Sequence, residues 1–195
     1  MKKITIALSL ALLVSFSELS AQKLKKIFNG KNLDGWVIPQ PNNDNWTVSD
    51  GILMVTSDET RKGGILWTEK DYEDFIVEVE YKNVSGNIDS GIFLRSDIDQ
   101  IQIGISGSLK RDLTASPYIP GKSYPVEASL KSLKKDDWNT IKVKVVGDTY
   151  TVWLNNEEVL TYTSEGMKKT GPIGIQLHPN RDMSIMYRSI KAREI

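Results

Sequence analysis

The sequence predicts an all-β domain, a sandwich or jelly roll of short antiparallel strands, on three observations. Turn-forming residues recur at short intervals, at Asn32-Leu33-Asp34-Gly35, Asp50-Gly51, Gly63-Gly64, Gly147-Asp148 and Asn155-Asn156. Between them lie alternating or β-branched runs that suit a pleated, half-buried surface, at residues 52–56, 75–81, 140–146, 150–154, 174–178 and 183–190. No stretch keeps a helical apolar period long enough to make a helix.

The elements follow in chain order. Lys2 and Lys3, the apolar run 4–16 and Ser20-Ala21 read as a secretory leader over residues 1–21, too short for a convincing membrane span. No cysteine follows that run, so the reading is export to a periplasm or beyond without a lipid anchor, and residues 22–195 form one domain. The richest stretch is 63–95: a strand ending in Trp67-Thr68, an Asp71-Tyr72-Glu73-Asp74 turn, a strand apolar at every second position, a polar loop, then Ser90-Gly91-Ile92-Phe93-Leu94-Arg95. Residues 106–133 are long and irregular, and Pro117, Tyr118, Pro120, Tyr124 and Pro125 suggest an ordered lid or rim. The lysine-rich 130–137 reads as a solvated loop. Gly147-Asp148 joins two strands as a two-residue hairpin, and Asn155-Asn156 returns the chain into 158–160.

Composition excludes several functions. Without Lys2, Lys3 and Glu18, 23 basic residues face 24 acidic ones, which points to neither nucleic acid nor a membrane surface as partner. There is no cysteine, so no disulfide, thiol chemistry or thiolate metal site is available. With a single histidine, a zinc site built on histidines is excluded too.

Side chains alternate between the faces of a strand, so parity sorts them. Ile92 and Leu94 share one face, with Phe93 and Arg95 on the other. Ile101 and Ile103 oppose Gln100 and Gln102, and Ile175 and Leu177 oppose Gln176 and His178. Lys142 and Lys144, alternating with Ile141, Val143 and Val145, are what a solvent face looks like in this chain. Gln, Arg and His gathered on reverse faces instead suggest a groove for a polar ligand, rich in donors and acceptors and low in charge. His178 is the one side chain suited to proton transfer near neutral pH without a perturbed pKa. No carboxylate pair stands out for ordinary glycosidase chemistry. Of the five tryptophans, Trp138 and Trp153 read as structural, while Trp36, Trp46 and Trp67 and the loop tyrosines Tyr118 and Tyr124 could stack on a sugar.

Six segments occur together in order: IFNGKNLDGW, NWTVSDGIL, GGILWTEKDYEDFIVEVEY, DSGIFLR, DDWNTIKV and GPIGIQLHPNRDMSIMYRSIKAREI. Over residues 27–195 the chain resembles the 3-keto-disaccharide hydrolase domain of exported bacterial proteins. The resemblance implies a concanavalin-A-like jelly roll of two curved antiparallel sheets. It places the family's motif residues on Asp89, Ser90, Gly91, Arg95, Gln176 and His178, and an acidic position on Glu80. One departure stands out, because a glutamate usual in the family is Gln100 here and an aspartate after it is missing, while Gln102 is kept.

The implied substrate is an oligosaccharide or an oxidised, 3-keto sugar. A ketone acidifies the neighbouring C2 proton, so the bond at C1 can leave by β-elimination. That route needs a base, a group to hold the enolate oxygen and a proton for the leaving group. His178, Arg95 and Glu80 are the catalytic candidates, with Gln100, Gln102, Gln176, Asp89, Tyr118 and Tyr124 binding substrate. A divalent cation could assist Arg95. The alternatives are a non-catalytic carbohydrate-binding module of the same fold, favoured by Gln100, and an accessory domain that packs on another protein.

Overall fold

The computed structural model describes residues 23–40 and 43–195, so the leader expected over 1–21 lies outside the described residues. Its strands are β1 (Lys25–Lys26), β2 (Trp36–Val37), β3 (Trp46–Ser49), β4 (Ile52–Thr56), β5 (Gly64–Tyr72), β6 (Phe75–Gly86) and β7 (Asp89–Leu94). They continue as β8 (Gln100–Gly104), β9 (Pro117–Tyr118), β10 (Asn139–Val146), β11 (Thr149–Leu154), β12 (Glu157–Thr163), β13 (Gly171–Leu177) and β14 (Met183–Glu194). Among the described residues there is no α-helix, and none long and apolar enough to cross a membrane. Two antiparallel sheets result. One is ordered β12-β11-β10-β6-β14-β4-β3 with β1 also on β14, the other β2-β5-β13-β7-β8-β9. The fold is the expected concanavalin-A-like jelly-roll sandwich.

Period-two patterning builds the core between the sheets. On β6, Phe75, Val77, Val79 and Tyr81 are buried, and Val77 sits opposite Val143 of β10 and Ala192 of β14. The six-stranded sheet answers with Ile92, Leu94, Ile101, Ile103, Ile175 and Leu177, the faces that parity assigned inward. Each such aliphatic side chain contributes about 1.5–3 kcal/mol on leaving water. A polar link crosses this core: the Ser90 hydroxyl donates to the Gln176 carbonyl at 2.7 Å and lies 3.1 Å from the Tyr187 hydroxyl of the opposite sheet. The expected hairpins are present. Asn155 and Asn156 take φ of 51° and 71°, the left-handed pair a tight two-residue hairpin turn requires.

The outer face of the eight-stranded sheet is the solvated one. Lys191 pairs with Glu78 at 3.1 Å, Lys142 lies 4.5 Å from the Trp153 ring centroid, and Arg188 4.4 Å from that of Trp138. Glu80 belongs here, which corrects its place among the catalytic candidates. It accepts a hydrogen bond from Arg188, which holds its carboxyl below the usual range, and the sheet it stands on does not carry the groove.

Arg95 is corrected as well. Parity put it beside Phe93, but β7 ends at Leu94 and Arg95 has φ of 63°, so the strand alternation stops one residue before it. Its side chain, 1 % exposed, turns to the end of the sandwich and ties three segments together. Nε donates to Glu73 O at 2.7 Å, Nη1 to Gly147 O at 2.7 Å and to Lys168 O at 3.0 Å, and Nη2 pairs with Asp74 at 3.1 Å. Gly171 makes room for the turn, since a Cβ there would fall 1.9 Å from Arg95 O.

Nearby, Asp99 is fully buried, and among the described residues neither carboxylate oxygen has a hydrogen-bond partner. Burial pushes its carboxyl up, the facing Ser164 hydroxyl and Arg95 only partly offsetting this. A carboxyl raised in the folded state contributes most below its unfolded value of about 3.9, and that contribution is lost as pH rises. Asp99→Asn is therefore expected to melt higher than the parent at pH 7 and level with it near pH 3. Equal melting temperatures at both pH values would mean that the carboxylate is compensated.

Candidate functional site

The outer face of the six-stranded sheet carries a pocket of about 400 Å³, lined in part by Asp89, Phe93, Gln100, Gln102, Tyr118, Tyr124, Gln176, His178 and Arg181. Seven of the side chains singled out in the sequence meet there: Asp89, Gln100, Gln102, Tyr118, Tyr124, Gln176 and His178. Arg95 and Glu80 do not.

The Asp89-Ser90-Gly91 segment of β7 assigns one job to each residue. Asp89 points into the groove, Ser90 into the core, and Gly91 leaves the floor open. A Cβ on Gly91 would fall 2.2 Å from Gln100 Nε2, so only glycine lets the Gln100 amide lie across the sheet. That amide donates to Ser90 O at 3.1 Å, to Gln176 Oε1 at 3.1 Å and to Gln102 Oε1 at 3.2 Å. Position 100 thus faces three acceptors, one of them a main-chain carbonyl. A carboxylate in the same place would confront all three, which is a physical reason for an amide at Gln100.

Asp89 is the anionic centre of the pocket, and its carboxylate is 4 % exposed. Oδ1 accepts from Gln102 Nε2 at 2.9 Å, and Oδ2 from Arg181 Nε at 2.9 Å and from the Gly107 amide at 3.1 Å. His178 Nε2 lies 3.8 Å from the same Oδ2. The histidine's Nδ1 is 2.7 Å from Pro179 O, a carbonyl that can only accept, so Nδ1 carries the proton and Nε2 offers a lone pair. An imidazolium formed there would be held by Asp89.

Sequence reasoning missed Arg181. It sits in the turn after β13 among Pro179, Asn180 and Asp182, where a cation reads as ordinary surface. Folding brings it against Asp89, 92 positions away, with its side chain 24 % exposed. Gly107 permits the contact, because a Cβ there would fall 1.4 Å from Arg181 Nη2. Among the described residues its hydrogen bond is made through Nε, and no bond is given to either Nη group. The segment after β8 closes the rim as expected, Tyr118 and Tyr124 packing at a tilt with centroids 5.3 Å apart. Burial raises the Tyr124 phenol, which keeps it a neutral donor near pH 7.

The remaining tryptophans divide. Trp36 and Trp46 are buried, Trp36 Nε1 donating to Ile27 O at 3.0 Å. Trp67 is half-exposed on the groove face and packs against Phe93 with centroids 5.7 Å apart. Among the described residues, no three His, Asp or Glu side chains converge as a metal cluster.

Comparison with known proteins gives this geometry a family. The profile of the 3-keto-alpha-glucoside-1,2-lyase-like domain matches residues 23–193. The chain belongs to that family. No curated protein matches it. Among solved structures, a protein designated a glycosyl hydrolase from Parabacteroides distasonis ATCC 8503 is 22 % identical with a TM-score of 0.68, covering 89 % of this chain and 100 % of its own. Carbohydrate-binding module CBM66 from Bacillus subtilis is 14 % identical with a TM-score of 0.56, covering 82 % and 96 %. The exoplasmic/lumenal domain of VIP36, in a form bound to Ca²⁺ and Man3GlcNAc, is 13 % identical with a TM-score of 0.67, covering 89 % and 91 %. At these identities the likeness is one of fold. The 3-keto-alpha-glucoside-1,2-lyase-like fold thus stands among hydrolase-like and carbohydrate-binding relatives.

Proposed function

We propose that this protein cleaves 3-keto-glycosides by β-elimination, with the reacting ring held in the pocket between Gln100, Gln102, His178 and Arg181. The observation that carries the reading is the His178–Asp89–Arg181 cluster. It brings an imidazole lone pair and a guanidinium to the same oxygen, Oδ2, of one buried carboxylate.

The reaction asks for those two groups. His178 Nε2 takes the proton from C2, and the electron pair moves onto the C3 oxygen as an enolate held by the Arg181 Nη groups. Collapse of the enolate forms the C1–C2 double bond and expels the C1 oxygen, which takes the proton back from the imidazolium. Water added across that double bond completes a net hydrolysis. The amides of Gln100, Gln102 and Gln176 orient hydroxyls, and Tyr118 and Tyr124 close the ring's open side. No second catalytic carboxylate is required, in accord with a pocket whose carboxylates are the fully engaged Asp89 and the rim residue Asp97. The reading includes export to the periplasm or cell exterior, for which the basic Lys2-Lys3, the apolar run 4–16 and Ser20-Ala21 speak.

A purely sugar-binding role is the second reading, and the amide at Gln100 favours it. One assay separates the two: protein with a 3-keto disaccharide or its unoxidised parent, with and without EDTA, following sugar release. Release from the keto form alone is the expected result, and sensitivity to EDTA would add a divalent cation beside Arg181. Binding of both sugars without release would overturn the lyase reading in favour of the binding module.

A further inference from the structure

The outer face of the six-stranded sheet has a second half that the pocket does not use. Cross-strand register aligns one residue from every strand in a single row: Val37 opposite Trp67, Trp67 opposite Gly174, Gly174 opposite Phe93, Phe93 opposite Gln100 and Gln100 opposite Tyr118. Neighbouring positions of a row are about 4.8 Å apart, so the distance from β7 to β5 is about 10 Å. Gln100, Tyr118 and Phe93 line the pocket, whereas Trp67 and Val37 continue past it toward the β2 edge. Val37 is 54 % exposed, although it is an aliphatic residue on a sheet face.

Gly174 determines how the indole lies. A Cβ there would fall 2.6 Å from Trp67 Cζ3 and 2.7 Å from Cε3, so the six-membered ring rests directly on the glycine backbone. The indole therefore occupies the space over Gly174, half-exposed on the outer face, and Phe93 packs against it at a tilt with centroids 5.7 Å apart. Gly174 does for Trp67 what Gly91 does for Gln100. One glycine makes room for an amide in the reacting pocket, the other for an aromatic platform beside it.

We propose that Trp67, supported by Gly174 and Phe93 and extended by Val37, is the leaving-group subsite, taking the apolar face of the sugar ring attached at C1 of the reacting unit. This rests on the pocket holding a glycoside, as argued above. The leaving group is covalently joined to the ring in the pocket, so it must lie against a pocket wall. On one side the sheet ends at β9, where Tyr118 and Tyr124 already close over the ring. On the other side it continues through β13, β5 and β2, and Phe93 belongs both to the pocket and to the Trp67 platform. An apolar platform suits the C–H face of a sugar, while the polar half of the groove suits its hydroxyls.

Two substitutions test this. Trp67→Leu keeps apolar bulk over Gly174 but removes the ring, and Trp67→Phe keeps a ring; melting curves verify that both are folded. On a 3-keto disaccharide, Trp67→Leu is expected to lower kcat/KM about three- to tenfold, the scale of one aromatic stacking contact, and Trp67→Phe to recover most of it. On methyl 3-keto-glucoside, which has no second ring, neither variant should differ from the parent. Equal losses on both substrates, or no loss on the disaccharide, would overturn the subsite. Calorimetric affinity for the unoxidised disaccharide reads the platform without any turnover. If no keto sugar is cleaved but that affinity falls in Trp67→Leu and returns in Trp67→Phe, the elimination reading fails and the subsite stands.

Discussion

His178→Ala is expected to reduce turnover of a 3-keto glycoside by about 10²–10⁴-fold, the usual contribution of a positioned general base. The side chain is about one-third exposed, and among the described residues its hydrogen bond is to the adjacent Pro179 carbonyl, so its loss should leave the fold intact. Binding of the unoxidised disaccharide should therefore persist while kcat falls. His178→Gln, which keeps polarity but offers no base, should be equally slow. Turnover retained in both variants would remove the histidine from the mechanism and leave the groove as a binding surface. The Nδ1 proton on Pro179 O is what makes the expectation sharp, because it fixes which nitrogen can accept the C2 proton.

Arg95→Met is expected to destabilise the protein by about 3–5 kcal/mol, since removing a buried guanidinium strands the groups hydrogen-bonded to it. The Glu73, Gly147 and Lys168 carbonyls would lose their donor and Asp74 its cation. For a domain of this size that corresponds to a fall in melting temperature of roughly 10 °C. Below the new transition, any cleavage of keto sugar should proceed near the parent rate, because the guanidinium lies at the end of the sandwich and not in the groove. A variant of parental stability and abolished turnover would return Arg95 to the catalytic role that sequence parity suggested. In the proposed mechanism that part falls to Arg181, which lies in the groove beside Asp89.

The contrast between these two arginines marks how far the sequence could be read. Period-two patterning is a local property, so it fixed the inward and outward faces of β7, β8 and β13 and placed Gln100, Gln102, Gln176 and His178 together on a polar face. It failed at Arg95 because parity assumes extended backbone, and a single left-handed residue re-aims its side chain. Glu80 came from the family resemblance, which names a position on a strand and not the sheet face on which that strand presents it. Arg181 was invisible for a third reason: a turn between strands has no periodicity to interpret.

The sequence by itself determined the all-β class, the hairpins at Gly147-Asp148 and Asn155-Asn156, and the family, since each depends on local pattern or on ordered motifs. Only the tertiary structure decided which polar faces share one groove, that Asp89 and Arg181 meet across 92 residues, and that Gly91 and Gly174 are the floor on which Gln100 and Trp67 lie. These are consequences of strand order and register. Both are set by how whole sheets bury their apolar faces against each other, a property of the packed chain that no short window contains.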